Sequence, residues 1–169
     1  MKTLLIFLFA AAPLAAQLSI DSVPRGYAMR YELSAYTDDT GIEVVLEASD
    51  VFETITGWTV MQDNAWQADT AAGEFTVPAS GMYSVHGSFS FSADAANRTA
   101  HIALFQDGVK QVNCSLEQKI SAASVIENAS WTGQVSLTQG ATLTIRCEVE
   151  SGTATFTFNH MQFNVERHP

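Results

Sequence analysis

Catalytic constellations are absent from this sequence. It has no Gly-x-Ser-x-Gly elbow, no His-Glu-x-x-His helix, no phosphate-cradling glycine loop and no paired metal-ligand cysteines. A jelly-roll hydrolase or lyase would need clustered acids or histidines, so an enzyme is not expected. The four histidines, His86, His101, His160 and His168, are scattered. His86 and His101 fall on the parity opposite the apolar residues of their strands, which assigns them to a surface or an interface. Basic residues are scarce too: 8 Lys and Arg stand against 18 Asp and Glu, a formal net charge of −10. That balance disfavours nucleic acid and anionic membrane surfaces as partners. No apolar stretch reaches the ~20 residues that span a bilayer, so no stable membrane span is expected. Internal repeats and long acidic runs are also missing, which leaves the charge dispersed over one surface.

Cysteine is nearly absent, with only Cys114 and Cys147. Val112, Cys114 and Leu116 share one parity, as do Leu143, Ile145, Cys147 and Val149, so both thiols are expected to point inward. In an oxidising compartment they can form one disulfide; the alternative is two buried free thiols acting as small apolar groups.

What remains is a chain of 169 residues, 47% hydrophobic, long enough for one domain with a sizeable core. Its N-terminus has the layout of a secretory signal peptide: Lys2, an apolar run from Leu4 to Ala12, Pro13, then small residues before Gln17. The expected division is therefore a signal peptide over 1–16 and one domain over 17–169. Within that domain, 17–57 supplies N-terminal strands and a connection, and 58–169 the core. Retention of the N-terminal segment as the attachment end of a virion protein is the alternative.

Alternation dominates the rest. Ile42, Val44 and Leu46 read as a strand, and residues 48–55 as either a helical turn or a strand. Ile102 and Leu104 share a face, and Asp107-Gly108 before Val109 is a hairpin signal. Trp131, Val135 and Leu137 point inward with Gly133 on the same parity, followed by strands around 143–149 and 156–165. Phe156 and Phe158 do not continue the parity of Met161, Phe163 and Val165, which predicts a bulge or short loop near Asn159-His160. Regularly spaced short strands argue for an antiparallel β-sandwich.

The densest signal lies in residues 73–85, Gly-Glu-Phe-Thr-Val-Pro-Ala-Ser-Gly-Met-Tyr-Ser-Val. Phe75 and Val77 alternate with polar neighbours, Pro78 cannot donate to a ladder, Gly81 supplies turn freedom, and Tyr83, Val85, Phe89 and Phe91 form the next inward face. Gly73, Phe75, Pro78, Gly81 and Tyr83 resemble the Gly-x-Phe-x-x-Pro-x-x-Gly-x-Tyr signature of the complement C1q / tumour necrosis factor superfamily. Asn64, Ala65 and Trp66 sit where that family carries a short aromatic-containing segment. The resemblance covers about two thirds of the chain. It implies an all-β, antiparallel jelly-roll sandwich that forms trimers, and a secreted, non-enzymatic module binding a protein or carbohydrate ligand through its loops. A phage or virion fibre or decoration protein with the same trimeric head is the alternative, since such modules also occur there. No collagen-like stalk precedes the head, unlike the complement branch, so any trimer must rest on the globular faces.

Ala103 and Phe105 oppose Ile102 and Leu104, and Phe156 and Phe158 oppose Phe163 unless the strand is interrupted. Either these four mark a subunit contact, or the parity slips at a bulge. No cofactor is expected. Some family heads bind calcium, and Asp94, Asp107, Glu148 and Glu150 are the candidate oxygens, without a calcium-loop pattern. Sequons occur at Asn97, Asn113 and Asn128, of which Asn97, in a polar loop, is the candidate glycosylation site.

Overall fold

A computed structural model describes residues 31–37 and 41–168. The leader over 1–16 and the Asp38-Asp39 turn signal lie outside those residues. The described chain contains strands and no helix. They are β1 (Glu32–Thr37), β2 (Ile42–Leu46), β3 (Glu53–Thr54), β4 (Thr59–Asp63), β5 (Gln67–Asp69), β6 (Glu74–Thr76), β7 (Gly81–Ala93), β8 (Arg98–Gln106), β9 (Val109–Ile120), β10 (Glu127–Leu137), β11 (Thr142–Val149) and β12 (Ala154–Arg167). A first sheet runs β10-β7-β12-β1-β4, with β2 also on β12; a second runs β5-β6-β11-β8-β9, with β3 also on β11. Every pairing is antiparallel. Segment 48–55, open in sequence between helical turn and strand, is mostly loop with the two-residue β3.

The core is aromatic and lies between the sheets. Phe75 of the second sheet meets Phe163 of the first at 5.8 Å between ring centroids, and Trp58 lies 6.3 Å from both. Phe89, Phe91, Phe156 and Phe158 form a second cluster, closed by Trp131 at 4.8 Å from Phe89. Fully burying each such ring stabilises by roughly 1.5–3 kcal/mol.

Residues 73–85 show how the turn is held. Phe75 pairs with Leu143, and Val77 closes the ladder by donating to Ala141 O at 2.9 Å. Pro78 then ends it. The buried Tyr83 hydroxyl donates to Ala79 O at 2.6 Å, back across the turn, while Trp66 packs edge-on against its ring at 5.8 Å. Burial pushes the Tyr83 phenol up, partly countered by Arg167. Gly73 has φ 70°, and a Cβ there would run into the Ile55 carbonyl oxygen. Gly81 has φ 159°, a backbone conformation that L side chains rarely adopt, and its bare Cα also makes room for Arg167, whose Nε would lie 2.6 Å from a Cβ. Arg167 uses that room to donate to Ser80 O at 2.8 Å and to lie over the Tyr31 ring.

Two irregularities reset parity. On β12 the register against β7 shifts between Phe158 and His160, the bulge expected near Asn159-His160. Phe156, Phe158, Met161, Phe163 and Val165 are therefore all buried between the sheets. Phe156 and Phe158 belong to the chain's own core, and the subunit contact considered for them is withdrawn. The second irregularity lies on β9, where Ser115 pairs with Ala103 but Lys110 pairs with Phe105, leaving residues 111–114 opposite Leu104 alone as a bulge. Val112 is consequently exposed while Cys114 is buried, so the shared parity read for them does not hold. The Asp107-Gly108 hairpin does form, with φ 49° and 78° at its two residues.

Candidate functional site

The outer faces of the two sheets differ. On the second sheet, Glu53 and Thr54 of β3 pair with β11, and Asp50 N and Ile55 N donate to Val149 O and Ile145 O. That tether folds Phe52 onto Phe105 at 4.9 Å, edge to face. Lys110 Nζ lies 4.8 Å over the Phe52 ring, and the Arg146 guanidinium 4.8 Å over Phe105. Ala103 is 0% exposed and Phe105 6%. The apolar residues that the sequence placed on an outer face are indeed there, yet the chain covers them itself. The subunit contact considered for Ala103 and Phe105 is withdrawn as well.

Beside this cover, Glu148 of β11 stands opposite His101 of β8, and His101 opposite Glu117 of β9. Burial pushes the Glu148 carboxyl above the usual carboxylate range; His101 and Lys110 pull it back, and Asp50 and Glu150 add to the rise.

No described segment covers the first sheet in this way. At its centre the outer residues are polar: Ser84, His86, Ser88 and Ser90 on β7, flanked by Thr132 on β10 and Asn164 on β12. They hydrogen bond laterally. Ser34 Oγ donates to Asn164 Oδ1 at 2.7 Å, His86 Nδ1 and Thr132 Oγ1 are 3.0 Å apart, and Ser84 Oγ and His168 Nε2 are 2.7 Å apart. These polar groups are thus paired with one another along the face.

A third feature is a groove of about 490 Å³ where the edges of the two sheets meet, between the β9 bulge and β10. Beside it Gly133 lets the β9 bulge approach β10 closely, because any Cβ there would strike the carbonyl oxygen of Asn113. Sequence reasoning missed this site by counting Val112 into a regular strand. The available signal was a glycine on the inward parity of β10, which marks close approach of another backbone.

The remaining candidates are dispersed. Cys114 and Cys147 are both free and buried, which corrects the expected disulfide. β8 lies between β9 and β11, so the two thiols sit on strands separated by about 9–10 Å, beyond the ~7 Å Cα limit of a bridge. Burial pushes the Cys114 thiol up to about 11, and burial with nearby Glu53 pushes Cys147 up further. Among the proposed calcium oxygens, Asp94 Oδ1 accepts from Thr155 N and Asp107 Oδ1 from Thr142 N, each at 2.8 Å. No group of three or more His, Cys, Asp or Glu among the described residues is placed to hold a metal ion. Asn97, Asn113 and Asn128 are all exposed, Asn97 in the turn between β7 and β8 with φ 55°.

Comparison with solved structures identifies the architecture. The chain superimposes on the globular domain of zebrafish complement 1qA with a TM-score of 0.56 and 14% identity, over 83% of this chain and 98% of that one. It matches Eiger TNF from S. frugiperda with a TM-score of 0.54 and 10% identity, over 83% and 93%. No family model and no curated protein matches the sequence. The chain has the C1q/tumour-necrosis-factor-like jelly-roll fold, and among the described residues there is no helix long and apolar enough to cross a membrane.

Proposed function

We propose that this protein is a secreted, non-enzymatic binding module that assembles as a homotrimer through the outer face of its first sheet and presents its loops and edges to a protein or carbohydrate ligand. The observation that carries the reading is the asymmetry of the sandwich. On one outer face the chain's own Phe52 covers Phe105, and the centre of the other is polar and uncovered by any described residue. Sedimentation of the full chain tests assembly: a trimer is expected, and a strictly monomeric species at micromolar concentration contradicts it. N-terminal sequencing of the exported protein tests secretion. Gln17 or a neighbour as first residue supports it, whereas retained Met1 favours a virion attachment segment.

A further inference from the structure

The groove between the β9 bulge and β10 has a lining unlike either sheet face. Gln111, Asn113, Gln134 and Ser136 contribute polar tips, while Met82 and Val112 form an apolar lip. Val112 is 76% exposed and Met82 48%, high values for side chains with no polar atom to hydrate. Gln111 is positioned, since its Nε2 donates to Val109 O at 3.0 Å and its carboxamide oxygen remains available. Asn113, Gln134 and Ser136 make no side-chain hydrogen bond within the chain and are free to pair with a ligand. Lys110 also borders the groove, but its ammonium lies over Phe52. No carboxylate lines the groove.

We propose that this groove binds a neutral carbohydrate, through the end sugar of a glycan. Carboxamides offer a donor and an acceptor side by side, matching adjacent sugar hydroxyls, which are themselves both donors and acceptors. The apolar lip of Val112 and Met82 suits the C–H face that a pyranose ring presents. Neither charge sign is provided for: the absence of carboxylates gives a cationic ligand no counter-charge, and the net charge of −10 repels acidic glycans. The volume lies within the ~300–1,000 Å³ of small-ligand sites. Bulging takes residues 111–114 out of the β8 ladder, which interrupts the edge that an extended peptide would need for strand addition.

This inference names the ligand class of the binding module proposed above and rests on that reading, but not on the trimer. The test is a titration of the full chain, followed by amide NMR, with D-glucose, D-galactose, D-mannose and N-acetyl-D-glucosamine in turn at millimolar concentration. Saturable shifts of the Gln111, Asn113 and Gln134 side-chain amides are expected with at least one sugar. Gln134→Ala and Gln111→Ala should each weaken binding at least about tenfold. Shifts confined to another surface, no saturable shift with any of the four sugars, or tighter binding of D-glucuronate than of D-glucose would overturn it. So would a peptide of residues 18–30 moving these resonances where the sugars do not. Sedimentation of the same samples separates the two claims: a trimer that ignores every sugar removes only the groove assignment, whereas a sugar-binding monomer removes only the assembly.

Discussion

The outer faces of the two sheets solve the same problem in opposite ways. On the second sheet, Ala103 and Phe105 are apolar; Phe52 and Arg146 lie over Phe105, and Lys110 lies over Phe52. On the first sheet, the equivalent outward positions of β7 are Ser84, His86, Ser88 and Ser90. An apolar face must be covered by its own chain or by a partner, whereas a face of short polar groups stays soluble alone and can still be buried later at low cost. The contrast shows that apolar residues on an outer parity do not by themselves mark a subunit contact in this fold.

Substitutions can break that contrast at graded depth. The core between the faces supports both, and Tyr83→Ser should cost roughly 3–5 kcal/mol by removing a buried ring. Chemical denaturation should show this as a lower midpoint at unchanged slope. Next is Gly73, whose missing Cβ lets Ile55 and the cover lie against the second sheet. Gly73→Ala combines a left-handed backbone with a clash on a carbonyl, and should lower stability by about 1–3 kcal/mol in the same assay. Phe52→Ala removes the covering ring itself. It should cost about 1 kcal/mol and increase binding of a hydrophobic dye, with Phe105 newly exposed.

A pH-dependent effect is smaller. The folded-state pKa of Glu148 is raised by burial, so the folded chain holds that proton more tightly than the unfolded one. Stability from this group is fully present below the ordinary carboxylate range and is lost as pH rises through the raised value. Glu148→Gln should therefore melt slightly higher than the parent at neutral pH, and the difference should vanish below about pH 4. Smallest of all is the thiol effect. With both thiols free and buried, the melting temperature should be the same with and without reductant, and a shift would reveal a bridge that the strand spacing forbids.

Much of this architecture was legible in the sequence, because period-2 alternation and turn chemistry act locally. The inward set Tyr83, Val85, Phe89 and Phe91, the Asp107-Gly108 hairpin and the β12 bulge all follow from neighbouring residues. What failed was long-range. Nothing near Ala103 reveals that Phe52, some fifty positions upstream, will cover its neighbour Phe105. The β9 bulge likewise depends on Gly133 of another strand, so Val112 was assigned inward and the groove was hidden. The cysteine pairing failed for the same reason, since inward parity gives a direction but not the intervening strand.

The assembly claim is tested most directly by placing one arginine on each face and sedimenting both variants. Ser88 sits mid-sheet, paired with Ser130 and Gln162, and Glu117 lies on the outer face of the second sheet opposite His101. Both substitutions are on the surface and should change protomer stability by no more than about 0.5 kcal/mol. The account predicts a trimer for the parent and for Glu117→Arg, and a monomer for Ser88→Arg. A trimer that survives Ser88→Arg and dissociates with Glu117→Arg, or a parent that is monomeric throughout, would contradict it.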